Sequence, residues 1–331
     1  MARKKTRIGL LKRPKTITGN SMSVPKSIKP QQARQIIRRF HILQKNRYSI
    51  INKLEKTNRN ITIDNYKELF KKNRIYQSAF KNFVLPQKYS DNQVYKIDDS
   101  LSNDILVSIL AQIDSEIEQR GGIEAYQSAS TEGQTTKRGG DSSKRLVDWL
   151  REEPYSGRLD NVNALEIGCL SPHNVISTCG IFKDIVRIDL NSQDPLIFEQ
   201  NFMERPLPKN DSEKFNLISC SLVLNFIPSP QERGEMLIRM TKFLKKPTSN
   251  SISMLFLVLP LPCITNSRYL DNKRLLEIMN HLGFTQSYYY EAKKVAYWLF
   301  EWNGKPIKEK KFPKTNLYSG SSRNNFCISI V

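Results

Sequence analysis

Several things are scarce or missing in this sequence of 331 residues, and each absence narrows its function. There are five cysteines (Cys169, Cys179, Cys220, Cys263 and Cys327) and no CxxC, so neither a disulfide framework nor a thiolate zinc site is indicated. Histidine occurs three times, at His41, His173 and His281, too scattered to form a ligand pattern, and no metal is expected. The longest apolar run, Ile252–Cys263, contains Pro260 and Pro262 and is too short to cross a bilayer, so no membrane association is expected. The N-terminus is basic without an apolar core behind the charge, unlike a secretory signal. Acid is nearly absent from one quarter of the chain. Residues 1–90 hold 23 Lys and Arg against 3 Asp and Glu (Glu55, Asp64 and Glu68), which accounts for the whole net charge of +20. The remainder carries 29 of each sign and is neutral.

A basic arm on a neutral body points to a polyanionic partner, with a solvated helix face plus a nuclear address as the alternative. Residues 1–30, with RKKTR, LKRPK and three prolines, read as a disordered basic tail, either an address or a nucleic-acid arm. Residues 31–120 read as a basic helical domain. Ile36, Phe40, Leu43, Ile50 and Leu54 recur at helical spacing over 31–56, with a slip near Arg47, and Arg and Lys fill the other face. Thr62–Phe83 reads as a second helix whose aromatics, Tyr66, Phe70, Tyr76 and Phe80, serve as core in preference to an RNA-stacking face. Residues 84–100 read as an irregular link. Asn103–Arg120 is a third helix stopped by Gly121–Gly122.

From residue 121 onward the pattern changes to alternating strands and helices, which argues for an α/β domain, 121–331, with a mostly parallel sheet covered on both faces. Residues 122–150 begin as a polar, glycine-bearing loop placed to act as a lid and end as a helix. In Asn161–Leu190 a buried strand ends at Gly168, a short crossover follows, and a second strand ends at Asp189. That is the layout of a Rossmann-like nucleotide site, where the glycine admits a ligand and the acid accepts from a ribose diol. The same two residues also suit an α/β strand pair with no ligand. Gly168 is followed by Cys169, Leu170, Ser171 and Pro172, so there is no GxGxxG. The pyrophosphate of NAD or FAD needs those glycines, whereas S-adenosylmethionine has no phosphate and tolerates a looser turn. Phe215–Leu224, Met254–Leu261, Ser287–Tyr290, Val295–Trp302 and Phe326–Val331 are further strands, and Gln231–Leu244 and Asn272–His281 are helices.

Three stretches, GGIEAYQSASTEGQTTKRGGDSSKRLVDWL, ALEIGCLSPHN…RIDLNS…EQNF and FNLISCSLVLNFIPSPQERGEMLIRM, carry a resemblance. The chain resembles the fungal nucleolar 25S ribosomal RNA adenine-N1-methyltransferases, a family that includes animal S-adenosylmethionine sensors. The likeness spans roughly residues 103–331, and the basic N-terminus is nearer the fungal enzymes. It implies a class I methyltransferase domain, S-adenosylmethionine as cofactor, large-subunit rRNA or a pre-ribosomal particle as partner, a monomer, and a place in the nucleus and nucleolus. Gly168 would lie under the methionine moiety, and Asp189 would hold the ribose with Leu190 beside it. Asn201 and Phe202 would meet the adenine, though an acid is more usual at the first of these. Ser219 and Ser221 would pass under the sulfonium, and Arg138 through Ser143 would form the lid. Asn225–Phe226–Ile227–Pro228 resembles the Asn/Asp-Pro-Pro-aromatic motif of amino-methyltransferases, with both middle positions changed. It makes Asn225 and Phe226 the candidate acceptor-side residues, unless Asn225 only caps the turn. A sensor or assembly factor that binds S-adenosylmethionine without methyl transfer is the alternative function.

Overall fold

The computed structural model describes residues 30–133, 140–192, 194–305 and 310–331. The expected tail, 1–30, falls almost wholly outside them, as does Arg138.

The first helix, α1 (Pro30–Thr57), packs with α2 (Tyr66–Phe70), α3 (Arg74–Lys81) and α4 (Asn103–Gln119) around a core of Leu43, Ile50, Ile51, Tyr66, Phe70, Tyr76, Leu110 and Ile113. The aromatics of the second helical stretch are thus core. That stretch is two helices, because Asn73 leaves the helical conformation and caps α3 by accepting from Tyr76 N. The basic face of α1 is not all solvated. Arg39 is 5 % exposed and forks onto Glu116, which is 1 % exposed, with Nε–Oε1 at 2.7 Å and Nη2–Oε2 at 2.5 Å. Arg47 reaches inward to Asp114, which also accepts from the hydroxyls of Tyr66 at 3.0 Å and Tyr76 at 2.6 Å. The apolar slip at Arg47 is therefore where a guanidinium enters the core and is matched there. Asp114, with three donors on its two oxygens, ties α1 to α4 through Arg47, whose Nε stays buried without a partner.

Next, α5 (Gly122–Gly133) is a helix where the sequence suggested a loop, and it packs against α1. Then come α6 (Ser143–Leu150), β1 (Asn163–Ile167), α7 (Val175–Thr178), β2 (Asp184–Asp189) and β3 (Phe198–Glu199). They are followed by β4 (Leu217–Ser221), α8 (Pro230–Phe243), β5 (Met254–Pro260), α9 (Pro262–Thr265), α10 (Asn272–His281), β6 (Phe284–Glu291) and β7 (Val295–Trp302). The seven strands lie in the order β3-β2-β1-β4-β5-β7-β6. Neighbours pair in parallel except at β7, which runs antiparallel to both β5 and β6.

Strand side chains alternate between two buried layers. Leu165, Ile218 and Leu257 face α8 and α10, while Ala164, Leu217 and Phe256 face α6 and α7. No described residue of Phe326–Val331 joins the sheet as a strand. That segment is extended and buried against α8, with Ser329 N donating to Pro230 O. It approaches so closely that a Cβ on Gly234 would fall 2.0 Å from Ser329 O. A buried extended tail and an edge strand share one hydrophobic pattern, which is why the sequence suggested a strand.

Candidate active site

The strand register brings three of the expected residues into one row. Ile167 pairs with Ile188 on one side and Cys220 on the other, so Gly168, Asp189 and Ser221 follow together at the carboxyl ends of β1, β2 and β4. Gly168 N donates to Ile188 O at 2.8 Å, which holds the two tips together. The carboxyl ends of parallel strands, at the reversal of strand order beside β1, are where open α/β sheets bind ligands.

Gly168 has φ +77°, and a Cβ there would stand 2.3 Å from Val223 Cγ2. The glycine is therefore demanded by its backbone angle and by Val223; the sequence had pointed only to room for a ligand. Asp189 is half-buried and accepts from Asn191 N at 3.0 Å. Burial raises its pKa, the Asn191 hydrogen bond opposes the rise, and the charge of Glu199 adds to it. Such a carboxylate gains from ribose hydroxyl donors. Leu190 is 67 % exposed beside it.

The expected adenine contacts are placed differently. Phe202 is 3 % exposed and packs on Phe243, ring centroids 5.2 Å apart, so it is a core side chain with no free face. Asn201 uses its amide locally, accepting from Met203 N at 2.9 Å and donating to Glu204 at 2.8 Å. Ser219 is buried within β4.

The described part of the expected lid is a strap. Asp141 accepts from Ser143 N at 2.9 Å and from Val175 N, and Ser143 Oγ accepts from Ile176 N at 3.0 Å. Ser142 Oγ and Ser221 Oγ lie 2.7 Å apart. The segment thereby links the end of β4 to the start of α7.

Four residues, Glu166, Leu222, His41 and Tyr126, had no reading as site residues in the sequence. Glu166 is an acid inside an apolar strand, in register with Ser219, and that contrast was its visible signal. Its Oε1 accepts from Asn174 Nδ2, while Oε2 is buried without a partner. Burial pushes its pKa up to about 7, reinforced by the charge of Asp141 and opposed by the Asn174 hydrogen bond. A buried carboxyl with an unused oxygen suits the ammonium of an amino-acid ligand. Leu222 has φ +57°, a strained angle for a leucine, and turns the chain sharply out of β4. The turn leads into a 3₁₀ segment, Leu224–Phe226, with Phe226 N bonded to Val223 O at 2.9 Å. There the Phe226 ring is 40 % exposed, and Asn225 Oδ1 is buried with no partner. An amide that merely capped the turn would use that oxygen. Finally, His41 of α1 and Tyr126 of α5 reach this point from outside the sheet.

Burial pushes the Cys220 and Cys263 thiols up to about 12 and raises Cys169 and Cys327 as well, which favours the protonated thiol at these four positions. Among the described residues no cluster suits a metal ion.

The arrangement can hold an amino acid at Gly168 and Glu166, a ribose at Asp189, and a flat acceptor on Phe226. A family profile described as "25S rRNA (adenine(2142)-N(1))-methyltransferase, Bmt2" matches residues 111–328. The chain belongs to this family. The 25S rRNA (adenine(2142)-N(1))-methyltransferase of Saccharomyces cerevisiae is 36 % identical over 348 residues, spanning 96 % of this chain and 99 % of that protein. The 25S rRNA adenine-N(1) methyltransferase of Schizosaccharomyces pombe is 45 % identical over 226 residues, 67 % of this chain and 82 % of that protein. Among solved structures, an S-adenosylmethionine-dependent methyltransferase from Clostridium acetobutylicum aligns with 54 % of this chain and 98 % of its own. Its identity is 12 % and its TM-score 0.40. The 25S rRNA adenine-N1-methyltransferase family is joined here to a seven-stranded sheet in which β7 alone runs antiparallel to its neighbours.

Proposed function

We propose that this chain methylates N1 of the 25S rRNA adenine corresponding to the one its relatives modify, at the row formed by Gly168, Asp189 and Ser221. The observation that carries the residue assignment is Asn225 Oδ1, buried and unpaired, next to the exposed ring of Phe226 at the end of β4. The cofactor fit rests on the orphaned Glu166 Oε2 and on the row of Gly168, Asp189 and Ser221 at the strand ends. Glu166 would hold the ammonium, Asp189 the ribose and Gly168 the methionine backbone, with Ser142 and Ser221 beside it. Bound there, S-adenosylmethionine supplies a methyl group on a sulfonium.

Adenine N1 has an in-plane lone pair and no proton at neutral pH, so the residues need only align it. Phe226 offers a stacking face to a flipped-out base, and Asn225 Oδ1 accepts from its N6 amino group. The ring turns cationic on methylation and its amino hydrogens become stronger donors. The Asn225 carbonyl therefore binds the transition state more strongly than the ground state.

Lys45, Arg233 and Lys314 lie close enough to act on one another's charge, with Arg233 buried and donating to the carbonyls of Ile227, Pro228 and Cys327. Desolvation and the charges of Arg233 and Lys314 hold the Lys45 ammonium below its usual value, which favours a phosphate there. The basic helical domain, 31–120, would grip rRNA backbone, with the 1–30 tail as a nuclear address or second grip. The chain would act as a monomer in the nucleolus. Mapping reverse-transcription stops on 25S rRNA from cells with and without this chain tests the reading, because N1 methylation blocks base pairing. A stop that persists in its absence refutes it.

A further inference from the structure

His41 lies on α1, remote in sequence from the sheet, yet its imidazole is stacked on Phe226. The centroids are 4.0 Å apart and the planes 16° from parallel. Tyr126 stands edge-on to both rings, at 5.1 Å from His41 and 6.2 Å from Phe226, and Phe40 stacks on Tyr126 at 4.6 Å. Four rings from α1, α5 and the β4 turn therefore close over the acceptor end of the site.

That closure leaves two polar atoms unsatisfied. His41 Nε2 and Asn225 Oδ1 are both buried without a hydrogen-bond partner. Native interiors hold few such atoms, and each costs free energy while it stays unpaired. Burial also lowers the His41 pKa to about 4, so the ring is neutral at physiological pH. A neutral, flat heteroaromatic ring on Phe226 has the shape and chemistry of a nucleobase. The two rings are in contact, and a base between them would need a further opening of about 3.4 Å, one stacking rise.

We propose that His41 is a placeholder for the target base: it occupies the face of Phe226 on which adenine stacks, and substrate RNA displaces it. The proposal rests on the assignment of Asn225 and Phe226 to the acceptor. Displacement exchanges one ring on Phe226 for another. It also releases His41 Nε2 to water and gives Asn225 Oδ1 the N6 amino donor it lacks, so both unpaired atoms gain partners. Only the opened fraction of the protein binds a base, and apparent affinity falls by that fraction. An rRNA held by many phosphate contacts binds in spite of this, whereas a short acceptor has few such contacts. The closed stack thus keeps stray adenine nucleotides away from a reactive methyl donor.

The test uses the full chain with two acceptors, a short RNA oligonucleotide containing one adenine and unmodified 25S rRNA. His41→Ala should raise kcat/KM for the oligonucleotide roughly 3- to 10-fold, the range of an aromatic pair's coupling, and leave the single-turnover rate at saturating rRNA within about 2-fold. His41→Trp, which fills the same face with a larger ring, should lower oligonucleotide efficiency by a similar factor. S-adenosylmethionine affinity should not move in either variant. Loss of transfer to both acceptors in His41→Ala would make His41 a wall of the base site and overturn the proposal. Equal efficiency in all three proteins, or none with the oligonucleotide, would overturn it too. Phe226→Leu separates the two levels. If it transfers at the full rate, the acceptor assignment fails. If it loses transfer while the His41 variants are indifferent, only the placeholder fails.

Discussion

Gly168→Ala perturbs the site at its narrowest point. The new methyl group must sit at φ +77° and 2.3 Å from Val223 Cγ2. A left-handed angle costs an ordinary residue about 1–2 kcal/mol. Overlap with a side chain in a packed site adds about 1–3 kcal/mol. Together these give a loss of roughly 2–5 kcal/mol in stability. The two parts separate in a double-mutant cycle with Val223→Ala, which removes the obstructing methyl but leaves the backbone angle strained. The coupling energy should be about 1–3 kcal/mol in favour of the double variant, and only the angular cost should remain. Denaturant unfolding of the four proteins supplies the energies. Calorimetric titration with S-adenosylmethionine should show binding weakened in Gly168→Ala and partly restored in the double variant. Additive energies, with no coupling, would mean that Val223 does not limit this turn and that the reasoning is wrong.

Other expectations follow from the same geometry. Glu166 has a folded-state pKa of about 7, above the usual carboxylate value, so its contribution to stability is full at acid pH and is lost as pH rises through 7. An ammonium placed against it lowers that pKa, so cofactor affinity should rise between about pH 5 and 7 and then level off, and Glu166→Gln should flatten both profiles in calorimetry and denaturation. Asp114→Ala strips Arg47, Tyr66 and Tyr76 of their common acceptor and should cost about 3–5 kcal/mol in denaturant unfolding. Lys45→Ala with Lys314→Ala should reduce the slope of log affinity for rRNA against log salt by up to about 2, without changing cofactor affinity; an unchanged slope removes these lysines from the RNA surface.

The parts of this architecture that follow from local pattern were legible in the sequence. The helix over 31–56, the helix at 103–120, Asn272–His281 and the strand Val295–Trp302 all appear where apolar spacing put them. Gly168 and Asp189 were legible because a strand-ending glycine and a strand-ending acid are local signals. Parallel pairing then sets them side by side. Two classes of feature were hidden. Charged residues whose partners lie on another helix, such as Arg39 on Glu116, look like any solvated face until the packing is known. The second class is contact between distant segments. Nothing near His41 points to Phe226, and nothing near Gly168 points to Val223. Phe202 and Asn201 carried the right residue types, but the turn that holds them buries one ring in the core and turns one amide on its neighbours.

The measurement that bears most directly on the central claim is single-turnover methyl transfer from S-adenosylmethionine to unmodified 25S rRNA by the purified chain, read as a reverse-transcription stop beside equilibrium cofactor binding. The account predicts a stop at one adenine with the unaltered protein. With Asn225→Ala or Phe226→Ala it predicts transfer at least about 10-fold slower, a loss of about 1.4 kcal/mol of transition-state stabilisation. Cofactor affinity should stay within a few-fold in both. Tight cofactor binding with no transfer by the unaltered chain, or equal loss of binding and transfer in the two variants, would contradict it.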